Sequence, residues 1–465
     1  MTSAFSTNDA ECLNRNTEHD VDIINLEEIW NDERLNECVS WIKENQFQKV
    51  CLQFPDDLIS HSIKILEDLK NNANAVFCIL GDTSYGSCCV DEVAASHVNA
   101  DAIIHFGHAC LSKVARLSVH YVFPNLKLDA TTFHKHLSKI FPNTDEKIVI
   151  FYSTAFFYQL ENIKTTLTSY ENIQYGQFAL DCKPDILGWK MPQTNLEETT
   201  CIWIGHENQS FFNLAIATKV KQWLSYDVNR NELKPVINPL ATNWMKRRNY
   251  FVEKCKDALS IGIVVGTLTT DGYLEVVSRI QNLARDRGIR TYLLSVGKIN
   301  PSKLANFMEI DCFVFVGCPE NSIYTSRDFY KPLVSVFEAE LALNPAWREQ
   351  YPNFYSADFV DILPNGKYHR LADPSTETNG NDEYDISLVT GRVRTMKTAN
   401  GDAQKLTNTE NQIERKNNQL MQTNSSSTFN DRSWTGLNPN LGQDEPTKIT
   451  KGRTGIAIKY TENEN

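Results

Sequence analysis

Two adjacent cysteines are the residues of this sequence best placed to bind a metal. Cys88 and Cys89 end the loop GDTSYGSCC (81–89), which follows the apolar run AVFCIL (75–80) and precedes a predicted helix. Ligands in open α/β sheets gather beyond the carboxyl ends of strands, and a helix N-terminus favours the thiolate form that a metal requires. A disulfide between adjacent cysteines would be strained. The loop therefore predicts metal ligation by these two thiols.

Two further cysteines also follow predicted strands. Cys110 comes after AIIHFGHA (102–109), and Cys318 comes after CFVFVG (312–317) and before Pro319. Side chains at the ends of strands from different parts of a chain converge if those parts pack around one axis. The spacing of the four cysteines matches no local zinc motif such as two CxxC pairs. Spacing alone leaves two hypotheses open, a shared metal site and scattered structural thiols.

The residues before Cys110 include two histidines. His105 and His108 lie on either side of Gly107, where each could hydrogen-bond a bound group. A histidine beside a strand end is more often structural, so this second interpretation is kept beside the first.

The composition and the missing motifs exclude several classes of protein. The 465 residues include 46 Lys and Arg against 58 Asp and Glu, a net charge of -12, which argues against binding nucleic acid or an anionic membrane. A Walker A loop, a GxGxxG after the first predicted strand, HExxH and GxSxG are all missing. The first 20 residues contain no apolar signal segment, so we expect a cytoplasmic protein whose cysteines are reduced.

Apolar runs that alternate with helical stretches predict the scaffold that positions the cysteines. This alternation is typical of parallel βαβ units, and it restarts twice along the chain. The sequence therefore predicts an α/β fold of three similar parallel-sheet blocks, preceded by a flexible N-terminal arm (1–25). The blocks are expected at 26–143, 144–250 and 251–370.

The composition changes after residue 370. Large apolar residues become scarce, which predicts a largely disordered linker over 371–430. Two apolar islands follow, DRSWTGL (431–437) and GRTGIAIKY (452–460). They indicate a docking tail over 431–465 that returns to a folded surface, and the alternative is a frayed end.

Several of these segments together are similar to one known family. The similar segments are QFPDDL (53–58), LGDTSYGSCCVDEVAA (80–95), IHFGHACLS (104–112), VGTL (265–268), KLANFMEIDCFVFVGCPEN (303–321) and the RSWTGL and GRTGIAI of the tail. They resemble the diphthamide synthase family, in its eukaryotic second-subunit branch. The resemblance covers residues from about 40 to 365 and the two islands of the tail.

The resemblance implies a chemistry and a set of partners. Members of this family hold a [4Fe-4S] cluster on cysteines between three α/β blocks. The cluster cleaves S-adenosylmethionine, and the resulting 3-amino-3-carboxypropyl radical is transferred to a histidine of elongation factor 2, the first step of diphthamide synthesis. The implied partners are the first subunit of the heterodimer, a small iron-containing electron donor protein with its reductase, and elongation factor 2 as the substrate.

One position departs from the family pattern. Cys88 falls on the first family cysteine and Cys318 on the third, whereas Trp189 of LGW stands where related chains have the second. Tryptophan cannot coordinate iron, so either Cys89 or Cys110 supplies the third thiolate, with Cys182 as a weaker candidate, or the cluster is held differently. The departure implies a subunit that relays electrons to the catalytic cluster of the first subunit or stabilises it. Two alternatives remain, a structural partner with a degenerate site and an independent radical enzyme.

Overall fold

The computed structural model describes most of the chain up to residue 395 and two short strands near its end. The described ranges are 25–81, 87–114, 116–180, 184–323, 329–347, 352–371, 384–391, 393–395, 454–456 and 459–461. Within them, no helix has the length and apolar character needed to cross a membrane. The chain divides into two units, Met1–Gly401 and Asp402–Asn465.

The first sheet has four parallel strands in the order β2-β1-β3-β4. The central strands β1 and β3 are apolar and almost wholly buried, as expected for a parallel sheet that is covered on both faces. The elements in chain order are α1 (Leu26–Ile29), α2 (Asp32–Glu44), β1 (Lys49–Gln53), α3 (Ser62–Asn72), β2 (Val76–Ile79), α4 (Glu92–His97), β3 (Ala102–Phe106) and β4 (Ser118–Val122).

The second sheet has five strands in the order β11-β10-β9-β5-β6, with only β11 antiparallel to its neighbour. A two-residue pair, β7 with β8, forms a separate antiparallel ladder between β6 and β9 in the chain. The elements are α5 (Ala130–Ile140), β5 (Ile148–Tyr152), α6 (Leu160–Thr166), β6 (Ile173–Tyr175), β7 (Gln177–Phe178), β8 (Trp189–Lys190), β9 (Thr200–Ile204), α7 (Gln209–Ala217), β10 (Gln222–Asp227) and β11 (Glu232–Val236).

The third sheet is parallel and has the order β13-β12-β14-β15. Its two central strands, β12 and β14, are buried along their whole length. The elements are α8 (Asn243–Lys256), β12 (Ser260–Val265), α9 (Tyr273–Asp286), β13 (Arg290–Ser295), α10 (Pro301–Ala305), β14 (Cys312–Val316), β15 (Leu333–Ser335) and α11 (Val336–Leu343).

One topology is repeated three times. In each sheet the first strand lies between the second and the third, the fourth lies outside the third, and a helix precedes the first strand. The predicted α/β fold of three similar parallel-sheet blocks is confirmed. The carboxyl ends of the strands in each block are the places where ligands are expected.

The helix before each sheet packs on the sheet that follows it. Phe133 of α5 shares a core with Ile148 of the second sheet, and Val252 of α8 shares one with Ile261 of the third. The apolar faces of these helices thus pack with the later sheet.

Part of the segment predicted as a linker is ordered. Tyr384–Ile386 (β16) pairs with Val393–Thr395 (β17) in an antiparallel ribbon. Arg394 forms ion pairs with Glu253 at 2.6 Å and with Asp257 at 3.1 Å, both in or next to α8. These charges supply the binding energy that the sparse apolar residues of the segment cannot. The remainder of the predicted linker lies outside the described residues.

Two strands of the predicted docking tail are described. Thr454–Ile456 (β18) pairs antiparallel with Lys459–Thr461 (β19), in and next to the second apolar island. The first island, DRSWTGL, and the N-terminal arm up to residue 24 lie outside the described residues.

Candidate metal centre

The loops that follow β2, β3 and β14 bring four cysteines together. The Sγ atom of Cys88 lies 3.9 Å from that of Cys89 and 4.0 Å from that of Cys318. The Sγ atom of Cys110 lies 3.8 Å from that of Cys89. All four sulfurs are within 4.8 Å of one another. The structure thus assembles the four predicted residues at one point, from the first and third blocks.

A buried glutamine at the end of β1 holds the loop that carries the adjacent cysteines. The Gln53 side-chain amide donates to the carbonyl of Cys89 at 2.7 Å, and its Oε1 accepts the backbone N–H of Asp91 at 2.9 Å. The Asp91 carboxylate then caps α4 by accepting the backbone N–H of Ala94. The loop is therefore fixed on both sides of its cysteines.

The Cys110 loop needs a glycine to turn out of β3. Gly107 has a φ of +89°, and a Cβ on it would lie 2.9 Å from Pro55 Cγ, so no other residue fits without displacement. The backbone N–H of Cys110 then donates to the carbonyl of Cys88 at 3.0 Å. The Ser112 hydroxyl lies 3.3 Å from the Cys110 sulfur, where it can donate to a thiolate.

A tight turn presents Cys318 directly after β14. Pro319–Asn321 form one 3₁₀ turn, and the Asn213 side-chain amide of α7 donates to the carbonyl of Pro319 at 2.9 Å. The Asn321 side-chain amide donates to the sulfurs of Cys88 at 3.3 Å and of Cys318 at 3.5 Å. Cys318 is 2% exposed, so its thiol is almost completely shielded from water.

The second block presents an aromatic ring instead of a thiol. Trp189 is 5% exposed, and its ring centroid lies 4.4 Å from that of Phe178 and 5.1 Å from that of Phe151. The turn before it touches the Cys110 loop, because a Cβ on Gly188 would lie 3.2 Å from the Cys110 carbonyl oxygen. Among the described residues, this block adds no sulfur to the cluster, and Cys182 lies outside them.

A histidine joins all three blocks behind the sulfurs. His108 hydrogen-bonds Thr154 Oγ1 through Nδ1 at 2.9 Å, and its Nε2–H donates to the Glu320 carboxylate at 2.6 Å. Burial works against the charged ring, but Glu320 outweighs it and raises the pKa of His108. The Ser210 hydroxyl of α7 donates to the same carboxylate at 2.7 Å. This network ties the loops of Cys110 and Cys318 to each other.

The other histidine supports the loop of adjacent cysteines. His105 is buried at the end of β3, and its Nε2 lies 3.1 Å from the carbonyl of Ser87. Burial lowers the pKa of His105 to about 4, so the ring is neutral and donates a proton to this carbonyl. Both histidines therefore have structural partners.

The thiols perturb one another strongly. Hydrogen bonding with Cys110 raises the pKa of Cys88 and of Cys89 well above the ordinary thiol value. Interactions with the neighbouring thiols, the largest with Cys318, hold the pKa of Cys110 well below it. Because like charges repel, ionising further thiols this close to a thiolate needs a nearby positive charge. A metal supplies that charge.

The donor set fits metals that prefer thiolate sulfur. Four cysteine sulfurs are the ligands of a tetrahedral zinc ion or of an iron–sulfur cluster. With Zn–S bonds of about 2.3 Å, the sulfurs of a tetrahedral zinc site lie about 3.8 Å apart. Three of the six sulfur–sulfur distances, from 3.8 to 4.0 Å, are close to this value, and all six are within 4.8 Å. Sulfur spacing therefore permits a single ion.

An acidic cavity opens beside Cys110. It has a volume of about 780 Å³ and reaches from Cys110 and Pro319 to the segment that contains Asp358 and Asp361. Burial raises the pKa of Asp358 to about 6, and burial also raises that of Asp361. The cavity gives the otherwise buried sulfurs a route to solvent.

Sequence reasoning identified the sulfurs but missed the residues that hold them. Gln53, Glu320 and Asn321 lay inside the quoted segments without an assigned role. One feature of the sequence could have identified Gln53: it is a polar residue at the end of an apolar strand, next to a predicted site. The contacts of Glu320 with His108 and of Asn321 with Cys88 join residues more than 200 positions apart, so no local pattern carries them.

Three parallel α/β blocks with a cluster of four cysteines between them have the donor set of a protein that binds metal through thiolates. Comparison with known proteins then identifies the family. The profile of the diphthamide synthesis protein family matches residues 54–352, and the chain belongs to this family.

Two relatives are similar over nearly their whole length. Both are named 2-(3-amino-3-carboxypropyl)histidine synthase subunit 2. The one from Danio rerio is 33% identical and covers 92% of this chain and 91% of its own. The one from Xenopus laevis is 34% identical and covers 98% of each chain.

A solved structure shares the fold. Dph2 from Pyrococcus horikoshii, crystallised with a 4Fe-4S cluster, matches with a TM-score of 0.55 and 22% identity. The match covers 68% of this chain and 92% of that one. The resemblance to diphthamide synthases is thereby confirmed at the level of family and fold.

Proposed function

We propose that this chain is the iron–sulfur subunit of a cytoplasmic heterodimeric complex. The complex transfers a 3-amino-3-carboxypropyl group from S-adenosylmethionine to a histidine of elongation factor 2. In this proposal the chain relays electrons to the catalytic cluster of the first subunit, and it receives them from a small iron-containing donor protein and its reductase.

The observation that carries the proposal is the group of four sulfurs within 4.8 Å. Support comes from two sides. The full-length relatives are named as a second subunit of this synthase, and the structural relative from Pyrococcus horikoshii was crystallised with a 4Fe-4S cluster. Cys88, Cys89, Cys110 and Cys318 would hold a [4Fe-4S] cluster here, and that cluster would supply one-electron redox chemistry.

The role as a relay follows from the ligand set. Three cysteines leave one iron of such a cluster open to S-adenosylmethionine, whereas four cysteines occupy every iron. This chain offers four thiols, and Cys110 lies against the turn where the family resemblance places the missing ligand. Four sulfur ligands suit electron transfer better than substrate activation.

One alternative has support from geometry. Three of the six sulfur–sulfur distances, from 3.8 to 4.0 Å, also suit a single tetrahedral metal ion. In that case the site would stabilise the subunit and the partnership, and it would carry no electrons.

Metal analysis separates the two functions. The full-length chain is reconstituted without oxygen with iron and sulfide, and iron, sulfide and zinc are counted alongside a Mössbauer spectrum. The relay proposal expects about four irons and four sulfides per chain. One zinc per chain that iron and sulfide do not displace would refute it and favour the structural alternative.

The electron source tests the relay itself. Complexes that contain wild-type chain or Cys318→Ser are assayed for modification of elongation factor 2, once with the physiological reductase and once with excess dithionite. Loss of the metal should slow the reductase-driven reaction more than the dithionite-driven one. Equal losses under both electron sources would contradict a relay.

A further inference from the structure

One side chain of the third block hydrogen-bonds two of the four sulfurs. The Asn321 amide nitrogen lies 3.3 Å from Cys88 Sγ and 3.5 Å from Cys318 Sγ. An amide N–H only donates, so both sulfurs accept. The two sulfurs belong to different blocks, and a single NH₂ group with two hydrogens can serve both.

The turn around Asn321 is fixed by contacts within the protein. Its backbone N–H donates to the carbonyl of Cys318 at 3.0 Å, and Pro319 restricts the backbone at the start of the turn. The Asn213 amide of the second block, itself buried, donates to the carbonyls of Pro319 at 2.9 Å and Glu320 at 3.3 Å. Contacts from the second and third blocks therefore hold the turn that presents the Asn321 amide to the sulfurs.

Hydrogen bonds to ligand sulfur change the potential of a metal centre. Reduction adds one electron and one negative charge, which is spread over the iron and the sulfurs. A donor stabilises this more negative state more than the oxidised state, so it raises the reduction potential. The effect is large in a site shielded from water, because the local dielectric constant is low.

We propose that Asn321 raises the reduction potential of the centre held by the four cysteines, and so adapts it to accept electrons. The inference rests on the proposed function, because it requires a redox-active cluster. The reduction is a one-electron step in which an external low-potential donor, dithionite in the test below, is oxidised. Asn321 itself is neither oxidised nor reduced.

Two substitutions and one control test the assignment. Asn321→Leu removes the donor at similar volume, and Asn321→Asp keeps the shape but replaces the amide with a carboxylate. Asn306→Leu is the control, since Asn306 is an exposed residue of the same block. Full-length variants are reconstituted anaerobically, their iron is counted, and the midpoint potential is measured by titration with dithionite followed by electron paramagnetic resonance.

We expect Asn321→Leu to retain its iron and to lower the equilibrium constant for reduction about tenfold, as for loss of a hydrogen bond to a charged acceptor. For a one-electron couple this is about 59 mV. Asn321→Asp should lower the potential at least as far, because it also adds a negative charge. Asn306→Leu should match the wild type.

The outcomes separate this inference from the proposed function. An iron-loaded Asn321→Leu with the wild-type potential would overturn the inference and leave the proposed function intact. Loss of iron from both folded Asn321 variants would make Asn321 a residue for metal retention, which also overturns it. A wild-type chain that binds no iron would overturn both.

Discussion

Serine substitutions should divide the four cysteines into two replaceable ligands and two essential ones. Three loops supply the sulfurs, and only the loop after β2 supplies two of them, Cys88 and Cys89. Losing either one leaves a sulfur from each loop. Losing Cys110 or Cys318 leaves two loops, with two of the remaining three sulfurs adjacent in sequence. Such a set approaches a cluster from fewer sides, so we expect it to hold the iron less well.

The surroundings of Cys318 sharpen this expectation. The nearest other cysteine in the chain, Cys312, packs in the apolar core of the third block with Cys255. No thiol of this block can therefore take the place of Cys318. We expect bound iron to fall from about four per chain to less than about one in Cys318→Ser and Cys110→Ser. Cys88→Ser and Cys89→Ser should each keep more than half, and the double variant should keep almost none.

The assay is the iron and sulfide content of each full-length variant after anaerobic reconstitution, with the visible absorption spectrum as a second readout. Cys78→Ser is the matched control, because Cys78 lies in β2 of the same block and outside the sulfur group. Iron retention in Cys318→Ser equal to that in Cys88→Ser would refute the argument from loops.

Three further predictions each concern one residue and its surroundings. Trp189→Ala should destabilise the chain by about 3–5 kcal/mol in urea unfolding because it empties a buried aromatic cluster, and Trp189→Phe should cost less than half of that. Burial raises the pKa of Asp358 to about 6, so the folded state binds this proton more tightly than the unfolded chain does. The stability contributed by this group should therefore fall as pH rises from about 4 to about 6, and Asp358→Asn should flatten that part of a thermal-unfolding profile. Arg394→Ala should increase hydrogen exchange in 384–391 about tenfold or more, because ion pairs to Glu253 and Asp257 are lost; unchanged exchange would show that the ribbon is held by other contacts.

The repeat of strands and helices was predictable because burial leaves a local pattern. Apolar runs such as 148–152 and 312–316 are buried at every position and stand out in the sequence. Strand β10 was missed, although Trp223, Leu224 and Tyr226 are buried in it. Its polar residues interrupt the apolar run, so only its position between β9 and β11 identifies it.

Helix placement and the ordered ribbon depend on contacts between distant residues. Buried Arg248 of α8 donates to both carboxylate oxygens of Glu338 in α11, which fixes α8 on the third block. Arg394 similarly binds α8 from 141 residues away. Neither partner can be identified from spacing or composition, which is why the sequence predicted a linker across the ribbon.

For the site, too, the sequence predicted the reactive residues but not the contacts that position them. Thiol chemistry and position after a strand were enough to select the cysteines. The hydrogen bonds of His108 and Asn321 to the loops around them were not predictable, because each depends on how the blocks meet. That of Gln53 depends on how the end of β1 meets a loop of its own block. The candidate metal ligands can be predicted from residue type, whereas the residues that position them can be identified only from the fold.

The second block differs from the other two at the site in the size of one side chain and not in its topology. The second block has the same strand order as the other two, and its turn at Gly188 reaches the Cys110 loop. At this turn Trp189 commits its ring to the core of the second sheet, against Phe178 and Phe151. A cysteine in place of Trp189 would be too small to fill that core, even if its thiol could reach a metal. The absence of a thiol at position 189 is thus coupled to the stability of the second block, and the described cysteines of the cluster approach the centre from the first and third blocks alone.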